Sequence, residues 1–547
     1  MRVSCPASMP KPRIVGAVCA VFLLALFAGL SIWEMSGDSL TPDERAHLPA
    51  GYAYWVAGEF RLNPEHPPFV KLLCAAPLLF MDLKIPPTQP PAGVTFHNYI
   101  ARFGTAFLSQ DLDRILFWGR LPVVGLGVLL GFLVFSWSRR IHGQAGAGLI
   151  SIFLLALEPT LLAHSHFITT DVALACFTIM AFSFLWRFCE AGGDGRHLVL
   201  AVAGMGLALA SKFSAVVLLP LFFTLWLRRW PVRAPAAGDR RPVADRLLAS
   251  RGLAAAAALL GIAIIIQACY FFSPDLSLYF KGLEAVRANK PVNYPAYAAG
   301  TFFVGGRWWY ALYVFFLKTP LATLCLIGAA AVACLRDRAR AGGALLFVLL
   351  PAVFYAAAVC LFADNYGVRY MIPVTAFLLV SAGRAWALLT SGRTGRLAAA
   401  ALALWLVASV GGVSPHYIAY CNEIIGGPEN GARFMHDSNL DWGQDLKRLA
   451  RYQQDRNLPP LVLAFWGASR PEVYGIQYRH WAVDTPDVAD PPVAADPPPG
   501  LYAISVNKLI DLKKLVLLEG RDSRLDWLDR FKPADRVGYS IYIYRFP

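Results

Sequence analysis

Charge is scarce in this chain. Asp, Glu, Lys and Arg make up 16% of 547 residues, while 57% are hydrophobic and the mean hydropathy is +0.48. Soluble domains carry about 25% charged residues, so water is not the main solvent of this fold. No C-x-x-C occurs, and seven of the ten cysteines (Cys19, Cys176, Cys189, Cys269, Cys325, Cys334, Cys360) lie inside apolar runs. They read as small buried hydrophobes, not as a disulfide framework or zinc site. There is no G-x-x-x-x-G-K-[ST] loop, so reaction energy does not come from a nucleotide held in that way. No internal repeat is visible. None of the ten Asn residues stands in an N-x-[ST] sequon, which fits a bacterial source.

The net charge of +14 would suit nucleic acid only if it formed one surface, and it does not. From Pro415 to Pro547 there are 16 Lys and Arg against 17 Asp and Glu. The excess sits instead in short segments between apolar runs, the pattern of loops retained in the cytoplasm. These runs are Ile14–Trp33, Leu121–Trp137, Ala147–Leu162, Val172–Phe188, Leu198–Ala210, Ala215–Leu227, Leu253–Phe272, Tyr310–Leu335, Ala344–Phe362, Met371–Leu389 and Leu397–Val413. The first is long for a signal peptide, and no small-residue cleavage site follows it. The expectation is about eleven spans with a cytoplasmic N-terminus. Arg139-Arg140, Arg187 and Arg196, the Arg-rich 228–251 segment, Arg336, Arg338 and Arg340, and Arg393 and Arg396 then lie inside.

Two sizeable regions face outward in this topology. The first loop, about 35–118, mixes aromatic residues with charges (nine acids and six bases from Glu34 to Trp118) and suits helices lying in the interface plane. The second, 415–547, reads as a small extracytoplasmic α/β domain. An amphipathic helix is expected over Asp441–Arg456, strands at Leu461–Trp466, Leu501–Val506 and Tyr539–Tyr544, and a Pro-rich break at Asp484–Gly500. The fold class is mainly α, with residues 1–414 a polytopic transmembrane catalytic domain and 415–547 its extracytoplasmic appendage.

Candidate chemistry lies at outward span ends. Asp43 and Glu44, in Thr41-Pro42-Asp43-Glu44-Arg45-Ala46-His47, sit where headgroups begin. Partial desolvation there is expected to raise a carboxylate toward working pH and suit a general base. The same residues can equally start a helix, with Thr41 or Asp43 as its cap. In Asn63-Pro64-Glu65-His66-Pro67-Pro68-Phe69-Val70-Lys71 the prolines hold Glu65 and His66 extended. His47, Glu65 and His66 can make a divalent-metal site or a hydrogen-bonded turn. Asp171 can cap its helix and keep an oxygen free. Lys212 and Arg369 are cations on the outward side, where they can snorkel or clamp a lipid phosphate. Asp437, Asp441 and Trp442 can bind hydroxyls or start a helix.

In this order these motifs resemble the polyprenyl-phosphate-sugar-dependent glycosyltransferases of the GT-C type. The likeness is to the protein O-mannosyltransferase-like family 39 and to the aminoarabinose transferases. Asp43-Glu44 match that family's acidic motif, and His66-Pro67-Pro68-Phe69-Val70-Lys71 is similar to its His-Pro-Pro-Leu-x-Lys segment. Trp308-Trp309-Tyr310 and Lys318-Thr319-Pro320 are similar too. The run Asp437-Ser438-Asn439-Leu440-Asp441-Trp442-Gly443-Gln444-Asp445 resembles the tail of a bacterial subgroup. The β-trefoil insertion of the eukaryotic protein mannosyltransferases is absent.

The resemblance implies inverting transfer of a sugar from a polyprenyl-phosphate donor to a lipid, glycan or protein hydroxyl, at the outer face of the cell membrane. Asp43 is then the catalytic base, with Glu44 and Asp171 beside it. Lys212, Arg369 and Lys71 hold the donor phosphate, and Glu65, His66, Asp437, Asp441 and Trp442 the substrates. No cofactor is required. The rival reading is a transporter or flippase of lipid-linked sugars, which would place ionisable groups midway along its spans and often shows repeats. A weaker alternative is a scaffold whose acids are only caps.

Overall fold

The computed structural model describes residues 11–190, 194–228, 251–289, 295–336, 343–481 and 496–547. Most of the basic loop expected between Arg228 and Arg251, the Arg338–Arg340 pair and most of the Pro-rich break lie outside them. The N-terminal half runs α1 (Lys11–Gly37), α2 (Pro42–Ala57), α3 (Phe69–Ala75), α4 (Phe96–Leu108), α5 (Leu112–Ile141), α6 (Ala145–Ala156), α7 (Pro159–His164), α8 (Asp171–Glu190), α9 (Gly195–Ser211) and α10 (Leu219–Arg228). Then come α11 (Arg251–Cys269), α12 (Leu278–Ala288), a hairpin of β1 (Pro295–Ala298) and β2 (Thr301–Val304), and α13 (Tyr310–Lys318). The membrane part ends with α14 (Leu321–Arg336), α15 (Leu346–Phe362), α16 (Ile372–Ala382) and α17 (Gly392–Gly411).

Seven helical segments in the described residues are long and apolar enough to cross a bilayer; the pair α13–α14, bent by 111°, makes an eighth. The expected count of eleven is therefore not reached on length. The other three expected spans correspond to apolar helical segments of 10–17 residues. One of them, expected over Ala147–Leu162, breaks between α6 and α7 at Leu157-Glu158, where Pro159 cannot donate into the preceding helix. The core of this part is packed around α8, from Val172 to Ala181 almost wholly buried. Large apolar side chains on the outer helices, such as Leu260 and Val353, stay exposed, as surfaces facing lipid do.

The loop expected over about 35–118 does hold helices. Thr41 begins α2 with Pro42 at its first position, and the Thr41 backbone N–H and hydroxyl both donate to Glu44 (3.0 and 2.9 Å). This is the capping-box arrangement, carried by Thr41 and Glu44 and leaving Asp43 out of it. Against α2 packs α3, so closely that a Cβ at Gly51 would strike the Lys71 carbonyl.

The tail folds as expected in kind, with a helix that starts later and two further short strands. Short turns over 417–439 lead to α18 (Leu446–Asp455), β3 (Leu461–Ala464), β4 (Tyr478–His480), β5 (Gly500–Ser505), α19 (Val506–Glu519), β6 (Asp535–Val537) and β7 (Ile541–Phe546). The strands form one mixed sheet in the order β4-β3-β5-β7-β6, parallel across the first three and antiparallel beyond. α18 starts at Leu446 and not Asp441 because Gly443, at φ +76°, turns the chain through 441–445.

Candidate active site

The turn after α1 is held before any substrate is considered. Arg120 of α5 is 1% exposed and donates to both oxygens of Glu44 at 2.7 Å; it also donates to the carbonyls of Met35, Asp38 and Ser39. The Ile168 N–H donates to Glu44 as well, at 3.3 Å. Glu44 is thus fully engaged inside the protein and cannot meet a substrate. It positions the start of α2.

Asp43, one residue earlier, faces the other way. Its Oδ2 accepts from Arg369 Nη1 at 2.7 Å, and the carboxylate remains 27% exposed. Burial pushes its pKa up, but Arg369, His47 and Lys212 outweigh that and hold it below the usual carboxylate value. The expected upward shift is therefore reversed. In the unliganded protein Asp43 is ionised and restrained by a cation.

A second pair lies alongside. Lys212, just after α9, donates to Asp171 Oδ1 at 2.5 Å, and Asp171 opens α8. One aromatic ring neighbours both cations: the Tyr370 ring centroid is 4.3 Å from Lys212 Nζ and 5.5 Å from Arg369 Cζ. Arg369 Cζ also lies 4.8 Å from the centroid of a Trp442 ring, from the tail. Asp43, Asp171, Lys212, Arg369 and Trp442, five of the residues expected at the site, are brought together. The Arg369 Nε is buried without a hydrogen-bond partner, a spare donor at this junction.

The remaining expected residues divide. His47 has its Nδ1 2.9 Å from the Ile168 carbonyl, and its ring lies edge-on to His66 with centroids 5.5 Å apart. Burial and the neighbouring His47, Lys212 and Lys71 push His66 well below the ordinary histidine value, so it stays neutral; its Nδ1 is buried and unpartnered. Glu65 turns away from both toward His97 Nδ1 and Asn289 Nδ2, each 2.8 Å off. The trio His47, Glu65 and His66 therefore does not converge on one point. Among the described residues no group of three His, Cys, Asp or Glu side chains is placed to hold a metal. Beside His66 opens a cavity of about 300 Å³, lined in part by Glu65, His97, Asn289, Tyr54 and Phe96.

Three further expectations are corrected. Lys71 does not reach the cation pair: its ammonium is buried and donates to the Asn63 backbone and side-chain oxygens (2.5 Å each) and to the His66 carbonyl (2.9 Å). It ties the loop that carries His66. Asp441 is fully buried and accepts from the Gly443 and Asn507 backbone N–H groups, so it shapes the turn; burial pushes its pKa up to about 7. Asp437, at φ +59°, receives the Ser438 N–H at 2.6 Å, again within the turn. Of the tail residues proposed for substrate only Trp442 reaches the site.

Sequence reasoning missed the groups that hold this tail turn in place. Ser39 donates its N–H to the Gln444 carbonyl and its hydroxyl to the Gly443 carbonyl, both at 2.8 Å. Arg448 bridges Asp38 and Asp445, both buried, at 2.6 Å each; His166 Nε2 lies 2.8 Å from Asp38. Lys318 donates to the Ile418 carbonyl at 2.7 Å and to that of Asn439. An Arg at the edge of an apolar run and a Lys inside one were the available signals for Arg120 and Lys318.

Residues 90–236 match the family model described as dolichyl-phosphate-mannose-protein mannosyltransferase, a stretch that includes Asp171 and Lys212. No curated protein matches the chain in sequence. Among solved structures, ArnT from Cupriavidus metallidurans in the apo state aligns over 97% of this chain and 98% of its own, at 15% identity and a TM-score of 0.50. The same protein bound to undecaprenyl phosphate aligns over 96% and 97%, at 14% identity and 0.47. The archaeal oligosaccharyltransferase AglB from Archaeoglobus fulgidus, in complex with an inhibitory peptide and a dolichol-phosphate, aligns over 92% and 71%, at 14% and 0.43. The architecture and the family match define the class: this chain has the GT-C fold and is a membrane glycosyltransferase.

Proposed function

We propose that the protein moves a sugar from a polyprenyl-phosphate carrier to an acceptor hydroxyl at the outer membrane–water boundary, with Asp43 as general base and inversion at the anomeric carbon. The observation that carries this reading is the double ion pair, Asp43–Arg369 and Asp171–Lys212, flanking Tyr370. A phosphate entering between Arg369 and Lys212 finds two cations and the unused Arg369 Nε donor. It competes with the two carboxylates for them. Asp43, relieved of part of its restraint, becomes the stronger base just when the donor is in place.

The acceptor O–H proton then passes to Asp43, the acceptor oxygen forms a bond to the anomeric carbon, and the carbon–oxygen bond to phosphate breaks. Charge building on the departing phosphate is met by Arg369 and Lys212, which act most where charge develops. His66, Glu65 and the cavity beside them supply neutral and acidic hydrogen-bonding groups next to aromatic faces, a surface suited to a sugar. The match to a mannosyltransferase family and the fold shared with ArnT support a lipid-phosphate donor. Asp43→Asn should abolish transfer from a labelled polyprenyl-phosphate sugar in membranes without lowering protein abundance. Undiminished transfer by that variant would sink the base assignment.

A further inference from the structure

Four side chains form a chain of contacts that runs from Glu44 to Asp43. Arg120, bound to Glu44, lies with its Cζ 5.4 Å from the Phe167 ring; Phe167 meets Trp442 edge to face at 5.5 Å; Trp442 lies 4.8 Å from Arg369, which holds Asp43. His164 closes a further side of the indole at 5.6 Å. Trp442 is 3% exposed. Its backbone N–H donates to Gln444 Oε1 at 2.7 Å, and the adjoining Gly443 and Gln444 carbonyls are held by Ser39. The indole is therefore delivered by the tail, immobilised from both sides, and laid on the cation that restrains the base.

We infer that Trp442 is a positioning residue for the transfer reaction: the extracytoplasmic tail supplies one wall of the reaction site and, through the indole face, sets where the Arg369 guanidinium stands relative to Asp43. The inference rests on the reading of Asp43 as base and Arg369 as phosphate clamp. A guanidinium on an aromatic face keeps its planar fork aligned and loses little freedom when it binds phosphate. Removing the face lets Arg369 wander from Asp43. Two consequences follow together: the phosphate clamp weakens, and Asp43 is no longer held so far below its ordinary value.

The test compares wild type, Trp442→Leu, Trp442→Phe and Asp43→Asn, each as the full chain in membranes, with labelled polyprenyl-phosphate sugar as donor. Trp442→Leu is expected to lower kcat/KM about tenfold or more, and to move the acid limb of its pH profile to higher pH. Trp442→Phe keeps a flat face and is expected to restore both. A role in folding alone would lower the melting temperature and leave the acid limb where it was. That result, or an unchanged kcat/KM in Trp442→Leu, overturns the inference while an inactive Asp43→Asn leaves the base assignment standing. Full activity of Asp43→Asn overturns the base assignment itself, and the inference with it.

Discussion

The carboxylate of Glu44 accepts from five donor atoms of Thr41, Arg120 and Ile168, while Asp43 holds Arg369 and stays partly open. Two adjacent acids of the same charge thus take different work, because a helix turns its successive side chains about 100° apart. The sequence places both at the right boundary but leaves them equivalent. What separates them is Arg120, distant in the chain and hidden at the edge of an apolar run, which is why the base had to be chosen by resemblance. The restraint on Asp43 also sets a pH signature. In the free enzyme its pKa lies below the ordinary carboxylate value, since Arg369 favours the ionised form. A bound donor phosphate draws on the same guanidinium and adds negative charge, and both effects raise it. The acid limb of kcat, which reports the substrate complex, should therefore lie at higher pH than that of kcat/KM, which reports the free enzyme. Parallel pH profiles of the two constants measure this directly. The reverse order would mean that phosphate does not share Arg369 with the base.

At the scale of elements, most of the helices were legible because apolar length and turn residues are local properties. Three of the five tail strands were legible too, to within two residues in the case of Ile541–Phe546, while the short Tyr478–His480 and Asp535–Val537 strands were not. Partners brought by packing were not. Lys71 shows this: the Pro-Pro-x-x-Lys spacing put a cation near the site, yet α3 packs on α2 and turns the ammonium into the 63–66 loop. Lys71 satisfies the Asn63 side-chain oxygen and the His66 carbonyl, and shares the Asn63 carbonyl with the Tyr54 hydroxyl, in a loop whose prolines supply no N–H groups. Lys71→Met keeps the stem and removes the donors. Leaving buried acceptors unpaired costs about 1–3 kcal/mol, so the variant should melt earlier and lose activity through misplacement of His66. Donor KM should not rise by itself. If melting were unchanged and only donor KM increased, Lys71 would belong to the phosphate after all.

Across the whole molecule, the tail is fastened to the membrane part beside Asp43 and Arg369, where its position matters for the proposed chemistry. A boundary near 415 looks natural in the sequence, where apolar runs end and charge balances. Residues 417–445, however, are wedged against α1 and the turn after it, α13 and the start of the Val368–Met371 turn by the Glu34–Tyr417, Ser39–Gly443, Lys318–Ile418 and Val368–Asn439 hydrogen bonds. Even Gly367 belongs to this seam: at φ +118° it lies against the Asn439 side chain, where a Cβ would clash. The strongest fastening is Arg448, the cation shared by Asp38 and Asp445. Asp445 also accepts the Ser540 hydroxyl at 2.6 Å, so the sheet is drawn into the same knot. Arg448→Leu would leave two buried carboxylates without their shared cation, a loss on the order of 3–5 kcal/mol. The expected result is a lower melting temperature together with reduced transfer, although Arg448 touches neither Asp43 nor Arg369. Neutralising the acids as well, in Asp38→Asn/Arg448→Leu/Asp445→Asn, should recover much of the melting temperature, because no buried charge is then left alone. Activity should recover with it only as far as Trp442 returns to Arg369, so the ratio of regained stability to regained transfer measures how much of the knot serves the site and how much serves the fold.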